Sequence, residues 1–150
     1  MGGNIIVDSN IKRSIILDNY QDPKNRGIPS NLDNYIKINS NNVSCIDNID
    51  IYVKLDGDKI VDIKYEGEAC VIAISSTSIL SDLLIGKTIF EANEILKNYY
   101  NMIEEKEYDS KILEEANVYD DIYKQPSRKT CATLFARGIS KLISEEQIKK

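Results

Sequence analysis

The chain has 150 residues, 42% of them apolar, with 19 basic against 24 acidic side chains and a net charge of −5. That length fits one domain with a real core, and the sparse glycine and proline exclude a fibrous or low-complexity chain. The acidic balance argues against a general binder of nucleic-acid phosphates, and no apolar run approaches the ~20 residues of a membrane span, so neither a nucleic acid nor a membrane is expected as a partner.

The start, MGGNIIVDSN, lacks the basic region and apolar run of a secretory signal. Residues 1–10 read as a flexible tail, and a reducing cytoplasm is the simplest home for unpaired thiols. Ile11 to Tyr20 reads as a first helix, with Asn10 as its cap and Asp22-Pro23 as its stop. Ile11, Ile15, Ile16 and Tyr20 are expected on its inner face, Lys12, Arg13 and Asp18 on its wet side. Tyr35, Ile36 and Ile38 predict a short strand, interrupted by the polar run Asn39 to Asn42. Ile49, Ile51, Val53 and Leu55 alternate with polar residues, as do Val61, Ile63 and Tyr65 beyond Asp56-Gly57-Asp58. This is a hairpin pattern with one buried face.

After Gly67-Glu68-Ala69-Cys70 the period changes. Val71, Ile74, Ile79, Leu80, Leu83 and Leu84 predict a helix with Cys70 at its start and Gly86 past its end. Ile89 opens a second amphipathic helix through Ile103, and Ile112, Leu113 and Ala116 a short third. Pro126 precedes a final helix with Leu134, Phe135, Gly138, Ile139, Leu142 and Ile143 on its apolar face. Thr130 is its expected cap, and Cys131 is expected near its N-terminus, where backbone N–H groups and the helix dipole favour a thiolate.

The chemistry rests on Cys45, Cys70 and Cys131 in a chain without histidine. An odd number of thiols cannot be consumed by internal disulfides. Cys45 and Asp47, two residues apart, can present sulfur and oxygen to one ion. With Cys70 and Cys131 they would complete a four-ligand set for zinc, or a labile set for iron–sulfur chemistry. Three thiolates and one carboxylate carry four negative charges. A zinc dication leaves two, which Arg128 or Lys129 could partly offset. Magnesium would fit three thiolates poorly. Each residue also has a plain reading: Cys45 a loop side chain, Cys70 and Cys131 buried inert thiols, Asp47 a turn carboxylate, Arg128 a solvated charge. The competing chemistry is sulfur transfer, in which an accessible thiolate attacks a sulfane sulfur. A closed zinc site would suppress that attack unless one ligand detached.

Four segments together carry a resemblance: DNYQDPKNRG, NNVSCID with Cys45 and Asp47, YEGEACVIAISSTSIL with Cys70, and RKTCATLFARGI with Cys131. In this order, from Ile11 through Ile143, the chain resembles the NifU-like iron–sulfur assembly family, especially its SufU-type branch. Val43 and Ile46 stand where the family typically has proline and glycine. Arg128 stands where the scaffold branch carries a ligand histidine, as in the SufU-type branch, and Lys106 to Tyr123 resembles that branch's inserted segment. The resemblance implies a single α/β (α+β) domain over residues 1–150, a three-stranded antiparallel sheet packed against a helical layer. It implies that Cys45, Asp47, Cys70 and Cys131 converge on zinc. It implies a sulfurtransferase-like role in which a cysteine desulfurase passes persulfide sulfur to Cys45, with Arg128 assisting, for relay to downstream iron–sulfur assembly proteins. The alternatives are a scaffold for a transient 2Fe–2S cluster on the same residues, and a purely structural zinc module.

Overall fold

A computed structural model of the chain describes residues 8–42 and 46–148. Helix α1 (Ser9–Gln21) leads into β1 (Ile36–Asn41), β2 (Asn48–Asp56) and β3 (Lys59–Glu68), then α2 (Val71–Leu84), α3 (Ile89–Ile103), α4 (Pro126–Ala132) and α5 (Leu134–Ile148). The strands form one antiparallel sheet in the order β1-β2-β3. The helices pack on one side of it, with α5 against β1 and β2, α2 against β3, and α1 outside α2. Between α3 and α4 run two 3-10 segments, Ser110–Tyr119 and Ile122–Lys124. They bury Leu113, Ala116, Tyr119 and Ile122 in the shared core. Among the described residues no helix is long and apolar enough to cross a membrane.

The β2–β3 hairpin follows the alternation over most of its length, but Tyr52 on the expected wet side is buried as well and Leu55 is only half-buried. Ile49, Ile51, Val53, Ile63 and Tyr65 are buried as expected, but Ile60 is buried in place of Val61. The register shifts at Lys54/Leu55, so Leu55 pairs with Ile60 and Lys54 with Asp62. A bulge of this kind inserts one residue and flips the facing side chain. The polar run Asn39 to Asn42 does not interrupt β1, which continues through Asn41. Asn39 faces out, while Ser40 is buried and donates to the Leu134 carbonyl at 2.6 Å, so the polarity is satisfied within the strand. Near it α5 comes close to the sheet at Gly138, where a Cβ would stand 2.8 Å from Ile51 Cδ1.

The first helix differs most from expectation. Asp8, not Asn10, caps it, accepting from the Asn10 N–H at 2.8 Å. Ile11 is 51% exposed and Tyr20 41%, whereas Lys12 is buried. Its inner side is Lys12, Ile15, Ile16 and Asn19 because the surface it meets is polar. Lys12 Nζ donates to Asp120 at 2.6 Å, and Ser78 Oγ of α2 donates to Asn19 Oδ1 at 2.7 Å. The serine-rich centre of α2 is buried throughout, with Ser75 meeting the Tyr119 hydroxyl at 2.5 Å. Thr88 and Glu91 close a capping box on α3, which satisfies two N–H groups of its first turn.

Candidate metal centre

Asp47 sits between β1 and β2 and is only 1% exposed. Its Oδ1 accepts the Cys70 N–H at 2.8 Å, and its Oδ2 accepts from the Asn42 side-chain amide at 3.0 Å. The Asn42 N–H in turn donates to the Asp47 carbonyl at 3.0 Å, closing the loop between the strands. Cys70 is the N-cap residue of α2, with extended backbone angles and its Sγ 3.5 Å from the Ala73 nitrogen. Gly67 brings it there. Its φ of +146° and the closeness of the Asn48 carbonyl to where a Cβ would stand admit no side chain at the end of β3.

Cys131 is not at a helix N-terminus. Pro126 is itself in the first turn of α4, as its preset φ favours, so Cys131 falls in that helix's last turn and the chain breaks at Thr133 before α5. Thr130 lies inside α4 and caps nothing there. The turn carrying Cys131 is pinned by its carbonyls. Arg137 donates to Thr130 O at 2.7 Å, the Tyr99 hydroxyl to Ala132 O at 2.8 Å, and Ser40 to Leu134 O. Burial first, then the neighbouring Cys70 and Asp47, push the Cys131 thiol well above the ordinary cysteine range. A cation among these groups would reverse that preference, because each gains by ionising beside it.

The ligand atoms of Asp47, Cys70 and Cys131 all lie within 4.8 Å of one another, with Cys70 Sγ 3.8 Å from Asp47 Oδ2. In tetrahedral zinc, bonds of about 2.3 Å to sulfur place the ligands about 3.8 Å apart. The three donors therefore fit such an ion with a contraction of under about 1 Å. Two sulfurs and one oxygen suit zinc or an iron–sulfur cluster and suit magnesium poorly. Cys45 lies outside the described residues, on a two-residue tether to Asp47. Arg128 is exposed and lines a groove of about 340 Å³ with Lys12, Arg13, Ile72 and Val71, the residue that follows Cys70. Lys129 is turned to Glu104 at 3.2 Å.

Sequence reasoning passed over Asn42 and Arg137. The available signal was Arg137 as the lone charge in the run Cys131 to Ile139. A family model described as "NifU-like N terminal domain" matches residues 11–132. The chain belongs to this NifU-like family. It is 36% identical over 136 residues to the "Zinc-dependent sulfurtransferase SufU" of Bacillus subtilis strain 168, covering 90% of each chain. To the "Iron-sulfur cluster assembly scaffold protein IscU" of Streptococcus pyogenes serotype M1 it is 32% identical over 131 residues, 87% of this chain and 80% of the relative. The crystal structure of a protein from Fervidobacterium islandicum AW-1, assigned to the SUF system as an assembly scaffold, superposes with a TM-score of 0.75. That pair is 33% identical, with 84% of this chain and 91% of that one covered. The NifU-like sheet and its helical layer are thus the expected architecture, shared with a solved relative.

Proposed function

We propose that this NifU-like protein is a zinc-containing sulfur acceptor that takes persulfide sulfur from a cysteine desulfurase and relays it to iron–sulfur assembly proteins in the cytoplasm. The convergence of Asp47, Cys70 and Cys131 carries this reading. The likeness to the sulfurtransferase over nine-tenths of both chains, with Arg128 three residues before Cys131, supports it. Asp47, Cys70, Cys131 and Cys45 would hold the zinc, which supplies charge that keeps bound thiols deprotonated at neutral pH.

Cys45 is the acceptor. Released from any metal it would help to hold, its thiolate would attack the outer sulfur of the donor persulfide. A new S–S bond forms at Cys45, the donor's S–S bond breaks, and its electron pair leaves on the donor cysteine as thiolate. No net oxidation occurs. Asp47, Cys70 and Cys131 hold their positions meanwhile, and Arg128 attracts the anionic persulfide. The match to a scaffold relative favours a second reading, assembly of a 2Fe–2S cluster on the same side chains.

Incubation with a desulfurase and cysteine, followed by intact-protein and peptide mass spectrometry with zinc measured in the same sample, tests this. One added sulfur at Cys45 with zinc retained is expected. An Arg128→Ala variant should load at least about tenfold more slowly with unchanged zinc content, the loss of one charge-assisted contact. If the partner loads no sulfur the relay fails; iron and acid-labile sulfide accumulating in equal amounts on the site and passing to an apo acceptor would put the scaffold reading in its place, and tight zinc with neither activity a structural zinc module.

A further inference from the structure

We propose that Asn42 and Arg137 are positioning residues, a brace that keeps Asp47 and the Cys131 turn arrayed as a three-point holder when Cys45 leaves. This rests on the ligand set proposed above. Three observations carry it. Arg137 Nη2 donates to Asn42 Oδ1 at 2.5 Å and to Thr130 O at 2.7 Å, so one guanidinium binds the end of β1 and the residue before Cys131. Asn42, 5% exposed, passes the contact on, its amide donating to Asp47 Oδ2 at 3.0 Å and reaching Thr130 O at 3.4 Å. Arg137 is itself steadied from its own helix turn by the Thr133 hydroxyl, which accepts from Nε at 3.2 Å.

The polarity of this chain is forced. A guanidinium has no acceptor, so Asn42 must turn its oxygen to Arg137 and its NH₂ to the carboxylate. The opposite flip would set N–H against N–H at one end and oxygen against oxygen at the other. Positive charge is thereby projected through an amide onto Asp47, beside a ligand set that stays anionic after a dication binds. A carboxylate oxygen can accept along two directions, so the Asn42 amide on Oδ2 and the Cys70 N–H on Oδ1 together fix the carboxylate plane in a way compatible with a metal bond. With Cys45 in place, four ligands hold the ion and an error in one is tolerated. With Cys45 gone, retention depends on the other three, and the brace matters most at that moment. Groups that orient metal ligands typically change metal affinity by about 10–100-fold.

The test is zinc affinity by chelator competition for Asn42→Ala and Arg137→Met, each in the natural chain and in a Cys45→Ala background. Methionine keeps the stem packing and removes the donors. Thermal unfolding of each metal-free protein serves as the stability control, and Arg137→Lys keeps the charge while losing the fork. The expected result is a loss of about 10-fold in the natural chain and about 100-fold in the Cys45→Ala background, in excess of any shift in metal-free unfolding temperature, with partial rescue by lysine. A change below about threefold in both backgrounds overturns the brace. So does a loss that merely tracks metal-free stability. Asp47→Ala and Cys70→Ala separate the two ideas: if they too leave zinc affinity intact, the ligand reading fails and the brace with it, whereas if they abolish binding and the brace variants do not, only the brace fails.

Discussion

A single side chain at the site shows how local satisfaction decides placement. Asp47 is an almost fully buried carboxylate, and each of its oxygens accepts a hydrogen bond from another segment. The C-x-D spacing drew attention to it, because a single residue, Ile46, separates the sulfur-bearing position from the oxygen-bearing one. Nothing in that spacing reveals that Asn42 and the Cys70 N–H hold it, since those groups come from a strand end and a helix start. A second carboxylate, Asp62, gives a pH prediction. It accepts from the Tyr35 hydroxyl at 2.5 Å, and this hydrogen bond, then burial, raises the Tyr35 hydroxyl to about 12. The ordinary tyrosine value is about 10. A raised value favours the neutral form in the folded state, so its contribution to stability is complete below pH ~10 and is lost as pH rises toward ~12. Urea unfolding of the natural chain and Tyr35→Phe should show a constant stability gap from pH 7 to ~9.5 that closes between ~10 and ~12. A gap that does not change over that window would refute the assignment.

Among the elements, those that bury one apolar face were readable and those held by polar contacts were not. The hairpin, α2, α3 and α5 all lie where their hydrophobic periods place them. α1 was located correctly, but its orientation was not, because the apolar count pointed to Ile11 and Tyr20 while the docking surface offered Asp120, Asp121 and Ser78. A helix rotates to satisfy buried donors when leaving them unmet costs about 1–3 kcal/mol each. Lys12 illustrates this with a side chain 11% exposed against Asp120 at 22%. A double-mutant cycle of Lys12→Met and Asp120→Asn should give a coupling of about 1–3 kcal/mol by urea unfolding. Hydrogen exchange should quicken within residues 9–21 in either single variant and leave the β2–β3 hairpin unchanged. A coupling near zero would mean the pair is incidental. The α4–α5 break was likewise illegible, since the sequence reads as a single final helix capped at Thr130 with its apolar face from Leu134 to Ile143, and only the carbonyl contacts of Ser40, Tyr99 and Arg137 mark where the chain divides.

At the scale of the whole molecule, the candidate centre gathers the β1–β2 loop, the start of α2 and the end of α4, three segments distant in sequence. A ligand bound only by the folded state stabilises it by mass action, about 4 kcal/mol when free zinc exceeds its Kd a thousandfold. Buffered zinc should therefore raise the melting temperature of the natural chain by several degrees, and chelation should return it to the metal-free value. Cys70→Ala should abolish the rise, and a rise of equal size in that variant would sink the assignment of Cys70. Here the division between sequence and tertiary structure is clear. Residue types and their order were enough for the hairpin, the long helices, the lack of nitrogen donors among side-chain imidazoles, and the four ordered segments that mark a NifU-like chain, because each of these is a property of short stretches. Only the folded chain decided that Cys131 ends a helix instead of starting one, that Lys12 faces inward, and that Asn42 and Arg137 stand behind Asp47. Those outcomes depend on which surface each segment meets: Lys12 meets Asp120 108 positions away, and Asn42 meets Thr130 and Arg137 88 and 95 positions away.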